Sequence, residues 1–171
     1  MDNDLLLEVG KVAVLRGELR FNLLSAGDAM LSTRLTDQGI ARLMMNGCEL
    51  LEICKAMQIL AQARGVAPEA VQQLAHIATE YGDDFDSAGA IANGSWTYLG
   101  GVEEKSYGLF LGESARDGDL APLWQKMTVE DLRKLVKRLE DASRAMQPFI
   151  WSARHVFETT IKNLRKSDSS E

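Results

Sequence analysis

The sequence predicts a mainly α-helical protein: a bundle of about five helices, with a glycine-rich, aromatic insert between the third and fourth that has room for a short β-hairpin. Three observations carry this. Apolar residues recur every three or four positions through most of the 171 residues, start and stop residues punctuate those stretches, and eight of the 14 glycines fall between Gly82 and Gly118. At 46% hydrophobic and 26% charged residues the composition is globular rather than disordered. A chain of this length buries roughly two-thirds of its unfolded surface, so one domain over residues 1–166 needs no crosslink. The polar residues 167–171 are expected to be a disordered tail.

The first helix is read from Leu5, Val9, Val12, Arg16, Leu19, Leu23, Ala26 and Met30, whose four-then-three spacing is that of a seam packed on another helix. Only Arg16 breaks it. Leu19, Phe21 and Leu23 also alternate with polar residues, which would suit a hairpin over Val12–Leu23, but Arg16-Gly17 is not a favoured two-residue turn. After a start signal at Thr36-Asp37-Gln38, a central second helix is expected from Ile40 to Ala63. Its polar residues form one narrow stripe, and Gly47 in its middle would mark a close helix crossing.

Gly65 ends that helix and Pro68 opens the third, which Gly82 stops after Tyr81. The following stretch to Gly118 reads as non-helical, with Ser95–Leu99 and Ser106–Leu111 as candidate hairpin strands. Thr128, followed by Glu130 and Asp131, starts a fourth helix with the stripe Leu132, Leu135, Val136, Leu139, Ala142 and Met146. Pro148 is expected to interrupt it, and a fifth continues through Ile150, Ala153, Phe157, Ile161 and Leu164.

Chemistry-bearing patterns are sparse. Asp83, Asp84 and Asp86 before Gly89 resemble the start of a calcium loop, but its fifth position is Ala88 and its twelfth Ser95. His76 with Glu80, and His155 with Glu158, are helix-face pairs in the wrong order for a carboxylate-bridged metal site. Thus no metal is assigned, with Asp83, Asp84, Asp86 and His76 as weak candidates. Cys48 and Cys54, both placed in the second helix, read as small core residues. Phosphate-binding loops, dinucleotide fingerprints and nucleophile elbows are absent, so no catalytic residue or cofactor is assigned. Asn93-Gly94-Ser95 matches a glycosylation acceptor only by chance if the chain stays in the cytoplasm, which the acidic N-terminus without an apolar export segment suggests.

Three features favour a protein partner, a second copy included: the seam of the first helix, the apolar excess of the second, and the acidic, aromatic insert. Trp96, Tyr98, Tyr107, Phe110 and Trp124 gather in and just after the insert, in a chain only 6% aromatic, and aromatic side chains beside glycine loops suit a protein interface. Charge is also uneven: from Ala67 to Leu120 ten acids meet two bases, while from Ala121 onward ten bases meet seven acids. The expected function is therefore a non-enzymatic interaction or regulatory protein that binds a protein partner, including a second copy as a homodimer. One alternative is a ligand or metal pocket between the bundle and the 82–118 insert. The other, nucleic-acid binding through the basic C-terminal helices, is opposed by a net charge of −6. No membrane partner is expected, because charges interrupt each apolar run.

Overall fold

The computed structural model describes residues 3–32, 39–100, 106–116 and 119–168. Among these, five helices precede one three-stranded antiparallel sheet and a sixth follows it: α1 (Asn3–Leu31), α2 (Ile40–Met44), α3 (Leu50–Ala63), α4 (Pro68–Glu80), α5 (Gly82–Asn93), β1 (Ser95–Gly100), β2 (Ser106–Arg116), β3 (Asp119–Thr128) and α6 (Val129–Asp168). The chain is thus mainly helical. The alternative hairpin over Val12–Leu23 does not form, since that stretch is the middle of α1.

The seam read in α1 is core. Leu5, Val12, Leu19, Leu23, Ala26 and Met30 are all buried, and α6 supplies the facing row Leu132, Leu135, Leu139, Ala142, Met146, Phe149 and Ala153. The two helices run in the same direction: Glu8 lies 3.6 Å from Arg133, while Ser25 and Asp28 share a hollow with Arg154 and Glu158. Each fully buried Leu stabilises the fold by about 1.5–3 kcal/mol, which makes this shared row a leading energetic contribution.

Arg16, the exception in the seam, has a structural reason. Its Nη2 lies 2.7 Å from Glu49 Oε2 at the start of α3, and one turn on Arg20 donates to the carbonyls of Met45, at 2.8 Å, and Cys48. Together they fasten the turn between α2 and α3. That turn corrects the expected single helix from Ile40 to Ala63. Gly47 adopts φ +88, left-handed backbone that glycine alone adopts without strain, and nothing lies within 4 Å of where its Cβ would be. So Gly47 breaks the helix rather than accommodating a crossing, and Cys48 belongs to the turn. The close crossing is at Gly27 of α1, where an added Cβ would lie 2.8 Å from Met57 Sδ and 2.9 Å from Ala41 Cβ. One residue on, the buried Asp28 accepts the Ala41 N–H at 2.8 Å and so caps the five-residue α2. The start signal at Thr36-Asp37-Gln38 lies outside the described residues.

α4 ends at Glu80, capped by Tyr81, and Gly82 is the first of the twelve residues of α5, which corrects the reading of 82–118 as wholly non-helical. Asp83 and Asp84 sit in the first turn of α5, where carboxylates are favoured, and Phe85, Ala88, Gly89 and Ile91 are buried. Its glycines serve packing: Gly82 faces Leu51, and Gly89 lies against Glu49 and Arg16. Arg138 of α6 locks the α4–α5 corner. Its Nε is 2.7 Å from Asp84 Oδ2, its Nη2 donates to Glu80 O at 3.0 Å, and its guanidinium lies 4.8 Å from the centre of the Tyr81 ring.

Pro148 does not break the last helix, because α6 is continuous and Phe149 and Ile150 beside it are anchored in the core. Proline cannot donate its missing N–H to the preceding turn. The carbonyl left without that donor is Arg144's; the next one, of Ala145, accepts from Gln73 Nε2 of α4 at 2.9 Å, which ties the helix to α4 beside the proline. The helix reaches Asp168, and residues 169–171 of the expected tail fall outside the described residues. At its other end the start expected at Thr128 is a reciprocal cap with Asp131: Thr128 N–H donates to Asp131 Oδ2 at 2.9 Å and Asp131 N–H to Thr128 Oγ1 at 3.2 Å.

Two measurements check these details. At Gly94, between α5 and β1, a Cβ would sit 2.2 Å from Leu109 Cδ1 and 2.5 Å from Ala90 O, so Gly94→Ala should destabilise by about 1–3 kcal/mol in urea unfolding. Asp131 has its pKa lowered by the Thr128 hydrogen bonds. Its cap therefore stabilises above the unfolded-state pKa and is lost as pH falls through the folded-state one. The stability gap between the wild type and Asp131→Ala should be about 1 kcal/mol at neutral pH and vanish in acid. A gap independent of pH would contradict this.

Candidate functional site

The sheet has an inner and an outer face, set by strict side-chain alternation along each strand. β1 pairs with β2 through Ser95↔Phe110, Trp96↔Leu109, Thr97↔Gly108 and Tyr98↔Tyr107. β2 pairs with β3 through Tyr107↔Met127, Gly108↔Lys126 and Phe110↔Trp124. Paired residues share a face, so Trp96, Tyr98, Tyr107, Leu109 and Met127 point one way, and Thr97, Phe110, Trp124 and Lys126 the other. The expected hairpin therefore forms and gains a third strand. Asp117-Gly118, a favoured hairpin dipeptide between β2 and β3, is the sequence signal that would have revealed it.

The inner face ties the sheet to the helices. Tyr107, Leu109 and Met127 are buried in the common core, and the Trp96 indole N–H donates to Ile91 O of α5 at 3.4 Å. Tyr98, at the rim, packs on Tyr107 with ring centroids 5.5 Å apart.

The outer face carries an exposed apolar patch. Gly108 supplies no side chain, and Thr97, Leu99 and the Trp124 ring close over it, each 3.1–3.3 Å from where a Cβ would be. Phe110 packs on Trp124 at 5.1 Å between centroids. Leu99 remains 52% and Trp124 44% exposed, with Leu111 exposed at the bulge between Phe110 and Gly112. Of the five aromatic residues singled out in the sequence, Phe110 and Trp124 thus share an accessible patch, Tyr98 is exposed on the other face, Trp96 is half-buried and Tyr107 is core. Leu99 was missed because a lone leucine beside glycine carries no signal of its own.

A second apolar surface is a groove of about 300 Å³ bordered by Leu31, Met44, Met45, Met57, Ile59 and Leu60. Met44 and Ile59 are exposed beside it, as is Leu43.

The titratable candidates are dispersed. Asp84 is engaged by Arg138, Asp83 and Asp86 are exposed on α5, and His76 Nε2 lies 3.1 Å from Glu80 Oε2 on the surface of α4. His155 and Glu158 border different hollows. Among the described residues no three His, Cys, Asp or Glu side chains are grouped as metal ligands. Burial pushes the Cys54 thiol up to about 12, which suits an inert core residue. The basic residues of α6 are partly committed to ion pairs, Arg133 with Glu8 and Glu130, Arg138 with Asp84, and Arg144 with Asp141. Among the described residues no helix is long and apolar enough to cross a membrane. No protein-family model, curated protein or solved structure matches the chain.

Proposed function

We propose that this chain is a non-enzymatic interaction protein that holds an extended, apolar segment of a partner protein against the outer face of its sheet, and that it also associates with itself. The observation that carries the reading is the closure of Thr97, Leu99 and Trp124 over Gly108, with Phe110 packed on the Trp124 ring. It forms a rigid aromatic patch left open to solvent on a framework anchored by the core. Large rings held in place bury much area at small entropic cost when a partner covers them, and tryptophan is among the residues that most often dominate such contacts.

An extended segment fits because β1 covers only part of β2. It pairs with Ser106–Phe110, and among the described residues the stretch from Gly112 to Arg116 pairs with β3 alone. That stretch therefore offers a strand edge to which a further strand can be added, just beyond the Phe110–Trp124 pair.

A protein enriched from cell extract by the immobilised chain, then purified, should bind it stoichiometrically. Trp124→Ala and Leu99→Asp should each weaken that binding about tenfold or more while leaving far-UV circular dichroism unchanged. Binding that survives both substitutions, or a purified candidate that does not bind, would contradict the reading.

A further inference from the structure

α1 carries a second apolar row, on a face the core does not use. Leu7, Val14 and Phe21 recur every seven residues and are 57%, 60% and 55% exposed. Gly10 and Gly17 fall between them, completing a three-and-four spacing, and nothing lies within 4 Å of where either Cβ would be. Exposed leucine, valine and phenylalanine at heptad spacing form a helix-pairing seam. The two glycines are disfavoured inside an exposed helix, and no neighbour within the chain requires them. On one side the row opens into a groove of about 580 Å³ shared with Val136 and Glu140 of α6.

We propose that this row pairs two copies of the chain through an antiparallel, two-fold contact between their α1 helices. The inference rests on the reading of the chain as an interaction protein and gives its self-association a surface. The occupant is a second copy because the row is complementary to itself. Run antiparallel, large residues of one copy fall opposite Gly10 and Gly17 of the other, so each protrusion meets a gap and the helices approach closely. Run parallel and in register, Phe21 would meet Phe21 and glycine would meet glycine, alternating crowding with voids that close packing does not tolerate.

Charge agrees with the antiparallel sense. Lys11 and Glu18 flank the row at equivalent heptad positions on either side of Val14. Antiparallel pairing brings Lys11 of each copy near Glu18 of the other, twice by symmetry, which fixes direction and register. Lys11 already pairs with Glu8 of its own chain at 2.9 Å and is about half exposed, so its ammonium lies at the edge of the row with donors to spare.

Sedimentation equilibrium of the full chain from about 1 to about 200 µM tests this. The mass should rise with concentration from 18.9 kDa toward twice that value. Val14→Glu should stay at 18.9 kDa throughout with an unchanged circular dichroism spectrum. Gly17→Gln should separate the two roles of that position: it raises the melting temperature of the dilute monomer, because any helix former improves on glycine there, yet weakens dimerisation at least about tenfold. Lys11→Glu and Glu18→Lys should each weaken the dimer, and an equimolar mixture of the two should restore it. A wild type that remains monomeric, a Val14→Glu variant that still dimerises, or a mixture that fails to recover would overturn the proposal. The sheet surface is read separately: a monomer that still binds a partner through Trp124 sinks the dimer alone, and a dimer without such binding sinks the partner reading alone.

Discussion

The parallel contact between α1 and α6 is the constraint on which the other elements depend. Its two apolar rows are buried along more than twenty residues of each helix, and the shorter helices are fastened to one or other of them by specific polar contacts. Arg16 and Arg20 reach from α1 to hold the α2–α3 turn, Asp28 caps α2, and Arg138 reaches from α6 to hold the α4–α5 corner. Each of these charged groups pairs where the chain changes direction and backbone groups would otherwise lack partners. The sheet is a dependent of the same arrangement, since β3 leads directly into the capped start of α6 and Leu109 and Tyr107 enter the common core.

Much of this was legible in the sequence. The spacing in α1 and in the first half of α6 is long and regular, and long regular periods are hard to satisfy any other way. The glycines misled, because the same residue served three different needs. Gly47 breaks a helix through its positive φ, Gly27 lets helices cross, and Gly82 and Gly89 sit inside or at the start of a helix beneath neighbouring side chains. Density of glycine alone cannot separate those cases, so by that measure α5 reads as loop and Ile40–Ala63 as one helix. Pro148 is deceptive for a related reason: the lost hydrogen bond is outweighed by the burial of Phe149 and Ile150, a tertiary fact that a local reading does not connect.

The candidate surfaces were legible to a smaller degree. Clustering of aromatic residues located the sheet, but their division between core and solvent depends on register, which the β2–β3 pairing sets. The seam that first suggested self-association in α1 is occupied by α6 within the same chain. The exposed row of Leu7, Val14 and Phe21 is hidden from apolar periodicity because two of its five positions are glycine. Whether a helical stripe is core or interface is decided by what packs on it, and that is a tertiary fact.

Native-state amide hydrogen exchange across a denaturant series tests the central constraint most directly. If α1 and α6 form one cooperative unit, amides from Val12 to Leu23 and from Leu135 to Met146 should exchange only through global unfolding, with one common free energy and one denaturant slope. An opening that releases α1 while α6 stays protected would contradict the account.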